Sequence, residues 1–600
     1  MILSKLQIIN YRSIKDTGEF PIKNIFALVG ENNSGKSNII KSVESFVGAG
    51  ASGVTKDDFN DPNEKIIIKG TFTNLSKSEI KRWKSYLVKD QLILEKQIWL
   101  EIDNKTSKEK VKSEFHGYKA EPKEWFLSIP KIEERFSKPK WIDIVNENNL
   151  PEYFIKDGKC NTKTYKASLE KYIEENDVEF DEPDISATQA LGLQSNVVAF
   201  LPSVYLLEAI TDYSDEIDRR SSNTTFRRLM GDLSDRILKN DPKYKEIESS
   251  INKIKSLFNK IEDDSDSTRL ESLGTIEEKI KGLLKKLMPS VKGVSLSIII
   301  DEIKDMFSRG VSISIDDGIE TDVLDKGHGL QRCIVFTLLQ TLIMNERNQL
   351  FESSETEIHS TIILAIEEPE LYIHPQLCKL FFDVMREFSE TDQVLYATHS
   401  PLFIDAFDYD KIGIVKKENT EIGTKIKTCS SNAFDDLDER KIFKGLTKFN
   451  PSINEMFFAK KVLIVEGSQD QIAVTKILQN EDMIINRIEE LDWSIVVAGG
   501  KNSIPFFQRV LNSFDIPYTV LHDFDIVDGM NPNDKNIHEK TNRKIKDLSH
   551  GNPIHSFPVK LEVSLGLDYH LNDQYYAHKF FQNSDNITDE VKTIILNLFK

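Results

Sequence analysis

Three groups of residues in this 600-residue chain have the types and spacing that do chemistry. Gly30-x4-Gly35-Lys36-Ser37 follows the apolar stretch NIFALV and precedes the helical pattern NIIKSVESFV. Glycines let backbone N–H groups face phosphate oxygens, and a helix start adds the positive end of its dipole. In this P-loop Gly30, Asn33 and Gly35 would cradle the phosphates, Lys36 would reach the terminal ones, and Ser37 would ligate Mg²⁺. Hydrolysis needs a partner. Ile362–Glu368 is an apolar strand closing on two carboxylates, Glu367 to hold Mg²⁺ and Glu368 to polarise the attacking water. The strand QVLYAT ends at His399, placed to sense the γ-phosphate of ATP.

The third group is acidic: Glu466 after LIV, Asp470 four residues on, and Asp523 and Asp525 flanking Phe524. Ser468 reads as a helix N-cap with Gln471 three residues later, which sets Asp470 in the first turn near Glu466. Asp523 and Asp525, two apart on a strand, would share a face. Unit charges ~4 Å apart repel by ~4 kcal/mol at an effective dielectric of ~20. Two Mg²⁺ or Mn²⁺ ions would relieve that repulsion, clamp a phosphodiester and activate water. Solvated strand ends also carry acids, so the bare pattern is weak.

The positioning elements are legible in the text. LIVEG, SQDQIAVTKILQN, WSIVVAGG, KNSIPFFQRVLNSF and PYTVLHDF alternate strand and helix, the mark of a parallel sheet whose carboxyl edge gathers a site. The N-terminal part reads as strands at ILSKLQIINYRS, EKIIIKGTFTN and QLILEKQIWLEID. Residues 104–190 resist assignment. Ile247, Ile251, Ile254, Phe258 and Ile261, and then Ile276, Ile280, Leu283 and Leu287, step by three and four, which predicts a two-helix hairpin with an apolar seam on each arm. The hairpin either packs on its own domain or serves as a dimerisation arm.

Net charge is 78 − 97 = −19, against a generally basic nucleic-acid coat but compatible with acidic metal-holding clusters. Cys160, Cys333, Cys378 and Cys429 lie too far apart for a zinc module and fit a reducing cytoplasm. No apolar run reaches the ~18 residues of a membrane helix, and no membrane association is expected.

EEPELYIHP, ATHSP, KGHGLQR and the N-terminal NYRS resemble ABC-type ATPases of the RecF/SMC kind. LIVEG with DxD is similar to a Toprim domain, and EGxxD with Gly499-Gly500-Lys501 to the variant in the overcoming-lysogenization-defect (OLD) family of ATP-dependent nucleases. The resemblance implies an α/β fold: an ABC-type ATPase head (1–212 and 291–455, with 104–190 unassigned), an inserted helical arm (213–290) and a C-terminal Toprim domain (456–600). It implies that Lys326–Arg332, with Gly327 and Gly329, is the signature loop that completes the ATP site of an opposite head in a homodimer or larger oligomer. No Q-loop glutamine is evident; Gln194 is available but reads better as a surface residue. Carried over by motif, Glu466, Asp470, Asp523, Asp525 and Glu562 become metal ligands, with Glu466 also in proton transfer. Family members use a C-terminal lysine, often before proline. No Lys-Pro follows residue 525 here, and Lys560 and Lys579 both remain candidates.

The function implied is an ATP-regulated DNA endonuclease or nickase in bacterial anti-phage defence, beside a second defence protein of helicase or reverse-transcriptase type. The alternative is a nucleotide-gated sensor or scaffold whose Toprim domain binds DNA without cutting. A topoisomerase or primase would need a nucleophilic-tyrosine domain or a zinc module.

Overall fold

The computed structural model describes the chain over 1–186, 201–209, 242–258, 270–287, 313–334 and 361–599, with isolated positions between these ranges and short gaps within them. The chain divides into two compact units. One is Met1–Ala209 with Ile358–Glu370 and His374–Lys600; the other is Ile210–Glu357 with Leu371–Ile373.

In the first unit, the N-terminal segment builds an antiparallel sheet in the order Ile14–Asp16, Ile2–Tyr11, Ile66–Thr73, Gln91–Ile102, Glu109–Lys119 and Asp184–Ser186. A second sheet runs Ser203–Leu207, Ile362–Glu367, Gln393–Thr398, Ile25–Val29, Ile412–Lys417 and Thr424–Thr428, parallel except for its last strand. Its central strands are buried at every position and largely apolar, as expected of strands covered on both faces. The helix Lys36–Val47 buries Ile39, Ile40, Val43, Phe46 and Val47, spaced to share a stripe, in a core drawn from both sheets. Where that helix ends, the buried Lys96 donates to the carbonyls of Ser45 (2.6 Å) and Gly48 (2.7 Å), a cationic cap on the negative end of the dipole. Burial lowers the Lys96 ammonium to a pKa of about 8.

Residues 104–190, unassigned from sequence, supply two strands of the first sheet. Between them the helices Ile129–Arg135, Trp141–Glu147 and Thr162–Glu175 close on a separate small core of Ile132, Trp141, Phe154 and Tyr165. Glu109–Lys119 returns as a hairpin on Gln91–Ile102, and Asp184–Ser186 pairs with it from beyond the three helices.

The C-terminal region forms a four-stranded parallel sheet in the order Trp493–Val497, Lys461–Val465, Tyr518–Asp523 and Ile554–Phe557. The first three strands lie where the sequence places them. The fourth follows the helix Pro532–Asp547 and is absent from the sequence reading.

In the second unit, helices span Pro242–Phe258 and Glu271–Leu287. Ile247, Ile254, Ile276 and Leu283 of the expected seams are exposed there. Ile261, Gln194 and Arg332 lie outside the described residues.

Candidate functional site

The loop after Ile25–Val29 is held by collisions that only glycine escapes. A Cβ at Gly30 would stand 2.2 Å from the Val415 carbonyl oxygen. At Gly35, with φ of 108°, it would stand 2.5 Å from Thr424 Oγ1. Asn33 also has a positive φ, 64°, tolerated by its short polar side chain. Thr424 donates to the Ser34 carbonyl (2.8 Å) and pairs with Ser13 Oγ (2.9 Å), tying the loop to the neighbouring strand and to the N-terminal sheet. Ser37 sits in the first turn of the helix that begins at Lys36. Lys36 Nζ donates to the carbonyls of Gly30 (2.9 Å) and Glu31 (2.8 Å). Burial lowers its pKa to about 8, against the opposing pull of Glu368, Glu370 and Glu31. The Ser34 hydroxyl is buried without a hydrogen-bond partner among the described residues, a donor pointing into the same loop. Loop, lysine and donor fit a nucleotide triphosphate.

Glu367 ends its strand buried and accepts from the Ala209 N–H (3.3 Å). Glu368 has left the strand: its φ is 45°, and its N–H donates to the Ala397 carbonyl (2.8 Å) of the next strand. That turn directs the two adjacent acids differently, as separate roles toward metal and water require. His399 follows Gln393–Thr398, and its backbone N–H donates to Glu370 (2.6 Å), which also accepts from the Thr398 hydroxyl (2.8 Å). Burial first, then Lys36, lowers the His399 pKa, which keeps the imidazole neutral near pH 7. Glu370, part of the EEPELYIHP motif, and Thr424 position this site, and the sequence assigned a role to neither. Arg12, in the quoted NYRS, binds Asp58 (2.6 Å) and reaches Asn38 of the P-loop helix (3.4 Å).

In the second unit, Gly329 lies where a Cβ would meet the Tyr372 carbonyl oxygen at 2.5 Å, whereas Gly327 has open space around it. Gln331 donates to the carbonyls of Val323 (3.1 Å) and Lys326 (2.8 Å), closing the loop on itself. The sequence requirement is therefore steric at Gly329 and not at Gly327.

The acidic group gathers at the carboxyl edge of the C-terminal sheet. Glu466 follows Lys461–Val465, and its carboxylate accepts from the Asp523 N–H (3.4 Å). The cap of the following helix differs from the sequence reading. Gly467, not Ser468, is the N-cap, and Asp470 in the first turn reaches back to accept from the Gly467 N–H (2.8 Å). This seats Asp470, 8% exposed, beneath Glu466. A second correction concerns Asp525. The strand stops at Asp523, and Asp525 lies beyond it with φ of 62°, its N–H donating to the Val559 carbonyl (2.9 Å). The two aspartates do not share a strand face. Asp523 accepts from the Leu561 N–H (3.0 Å), whereas Asp525 faces Lys501 (3.1 Å), His538 (3.6 Å) and Lys560 (3.8 Å).

The electrostatics follow that division. Burial, then Asp470 and Glu466, push the Asp523 carboxyl up to about 8. Burial raises Asp470 to about 7, with Glu466 and Glu562 adding to it. Burial and then Asp525 raise Glu466. Glu562, in the short helix Leu561–Ser564, faces His570 (3.6 Å) and accepts from the Leu571 N–H (3.2 Å). Lys560 is the candidate lysine that the fold brings to the cluster. Lys579 instead lines a groove with Tyr569, His570 and Tyr576. Among the described residues, no three His, Cys, Asp or Glu side chains already stand so as to hold a metal ion. The crowded oxygen donors nonetheless are of the type that Mg²⁺ or Mn²⁺ takes. Lys501, quoted within Gly499-Gly500-Lys501, was not assigned to the site by sequence.

A P-loop head joined to a parallel domain with an acidic carboxyl edge defines an ATPase coupled to a Toprim module. Residues 1–404 match the AAA ATPase domain family, to which the chain belongs, and residues 457–525 match the Toprim domain of overcoming-lysogenization-defect-like proteins. The pairing of these two domains fits the ATPase–Toprim arrangement of OLD-family proteins. It is 29% identical over 268 residues to the OLD nuclease of Thermus scotoductus, covering 42% of this chain and 47% of that one. It is 22% identical over 534 residues to the Old nuclease of Escherichia phage P2, covering 88% and 77%. The endonuclease GajA of Bacillus cereus VD045 is 24% identical over 28% of this chain and 26% of its own. The match thus spans about half the length of the Thermus relative. Among the described residues no helix is long and apolar enough to cross a membrane.

Proposed function

We propose that the chain hydrolyses ATP in its head and cuts or nicks DNA at the acidic edge of its Toprim domain, using divalent metal. One observation carries the reading: Glu466, Asp470, Asp523 and Glu562 meet at one sheet edge without enough cations to balance them, in a chain that also carries a complete P-loop. Relatives named as nucleases and endonucleases support DNA as the substrate. In the head, Gly30, Asn33 and Gly35 hold the phosphates, Lys36 their charge, Ser37 and Glu367 the Mg²⁺. Glu368 orients water, and His399, neutral and fixed by Glu370, senses the γ-phosphate. Gly327 and Gly329 shape the loop that completes the site of a second head, so the working form is a homodimer or larger. In the Toprim site a bound divalent ion would activate water and offset the charge of the phosphodiester. Glu466, Asp470, Asp523 and Glu562 hold it, Asp525 completes the set, and Lys560 stabilises the leaving oxygen. A role in cytoplasmic anti-phage defence, with a helicase or reverse-transcriptase partner, follows from the family alone.

The decisive experiment is plasmid nicking with Mg²⁺ or Mn²⁺, with and without ATP, in wild type and Asp523→Asn, alongside ATPase rates. Nicking should be lost in the variant while ATP hydrolysis persists. Nicking at the wild-type rate in Asp523→Asn refutes the assignment. A wild type that never nicks favours the second reading, a nucleotide-gated sensor or scaffold. The lysine already seated on Asp525 is the observation in favour of that reading.

A further inference from the structure

Asp525 differs from its neighbours. Glu466, Asp470 and Asp523 crowd one another, and Asp525, which adds to the crowding at Glu466, is also flanked by basic side chains, the nearest being Lys501. Lys501 is 6% exposed, deeper than an ammonium group normally lies without a specific partner. Its Nζ donates to Asp525 Oδ2 (3.1 Å) and to the Phe524 carbonyl oxygen (3.1 Å), two of the oxygens on the aspartate loop. It also exerts a favourable charge on Glu466. An ammonium bonded to Asp525, and near enough to favour the charge on Glu466, competes for the position of a divalent ion that those two carboxylates would share.

The segment that carries Lys501 is built to present it. Gly499 and Gly500 have φ of 74° and 130°, a backbone path that other residues adopt with strain. The Gly500 N–H donates to the Glu466 carbonyl (3.0 Å), which ties the turn to the same sheet edge. The helix Ile504–Ser513 that follows is anchored through Phe506 on Phe434, Phe507 on Phe443, and Arg509 on Glu439. The lysine is therefore held from both sides and is not a surface side chain that has folded inward.

We propose that Lys501 is a resident counter-cation that occupies one of the two metal positions of the Toprim site in the resting protein. The remaining carboxylates then bind a single divalent ion, and a second enters when Lys501 withdraws from Asp525. Lys501 is a positioning residue in this scheme, since it sets the occupancy of the site and takes no part in bond breaking. The inference rests on the metal-site reading above.

Mn²⁺ binding by the full-length, nucleotide-free protein tests it, with free Mn²⁺ followed by electron paramagnetic resonance. Wild type should bind one ion per chain at this site. Lys501→Met should bind a second, or bind Mn²⁺ at least about tenfold more tightly, the scale of effect known for groups around a metal site. Lys501→Arg, which keeps the charge, should behave as wild type. Thermal melting adds an independent readout: Lys501→Met should melt lower than wild type in EDTA and gain more from Mn²⁺. Lys501→Gln, which keeps a donor for the Phe524 carbonyl, serves if the methionine variant does not fold. Two ions in wild type, or unchanged binding in both neutral variants, would overturn the proposal. Asp470→Asn/Asp523→Asn separates this from the underlying reading. If that double variant still binds Mn²⁺ as wild type does, the carboxylate edge is not the metal site, whatever Lys501 does.

Discussion

Asp523 and Asp525 lie two residues apart, yet loss of their charge should move stability in opposite directions. Among the described residues Asp523 has no basic partner, and burial with its acidic neighbours raises its pKa from 3.8 to about 8. A carboxyl whose folded pKa lies above its unfolded value binds its proton more tightly in the folded state. Stability is therefore greatest below about pH 4 and declines as pH rises toward about 8. Four pH units at about 1.36 kcal/mol each set a ceiling of roughly 5 kcal/mol. Partial solvent screening at this half-buried edge brings the figure to on the order of 2–4 kcal/mol. Asp523→Asn removes that penalty and keeps an oxygen for the Leu561 N–H. In EDTA near pH 8 the variant should melt roughly 2–4 °C above wild type, and near pH 4 the two should coincide. Asp525→Asn instead leaves the buried Lys501 without its counter-charge and should destabilise by about 3–5 kcal/mol. Added Mn²⁺ should reverse the first ordering, because the ion stabilises wild type more. Calorimetry in EDTA and in Mn²⁺ at the two pH values gives all of these differences. A lower melting point for Asp523→Asn near pH 8, or a gain that does not change with pH, would refute the crowding argument.

The head offers shorter tests. Lys36→Ala should weaken ATP binding at least about tenfold by isothermal titration, since the loop loses its cation. Glu368→Gln should bind ATP normally and lose turnover; equal ATPase rates in variant and wild type would end the assignment of Glu368 to the water. Glu370→Ala removes both restraints on the Thr398–His399 strand end, so kcat should fall by roughly 10–100-fold with a smaller change in KM. With ATP and Glu368→Gln, light scattering should give at least twice the 68.8 kDa chain mass, and a strict monomer would count against paired heads.

The P-loop, the paired glutamates, His399, and the Glu466 and Asp523 strand ends were legible because each sits at a junction of regular elements. Apolar runs such as IFALV and VLIV specify buried parallel strands locally, and the residue after such a strand must emerge at the carboxyl edge. Local pattern also located the helices 36–47, 468–480 and 504–513. It did not find the strand Ile554–Phe557, which is too brief to show a period, or the two strands and three helices within 104–190, a stretch that is polar and dotted with aromatics. Nor did it separate Asp523 from Asp525. A two-residue spacing predicts a shared face only while the strand continues, and here the chain turns into the left-handed region at Asp525. Lys501 stands on Asp525, and Glu370 on His399, through contacts that residue type and spacing do not encode. Sequence alone therefore determined which groups reach the sheet edges, since that depends on local periodicity. The tertiary structure decided which carboxylates are crowded and which are already paired with a cation, since charge balance depends on neighbours brought together from different elements.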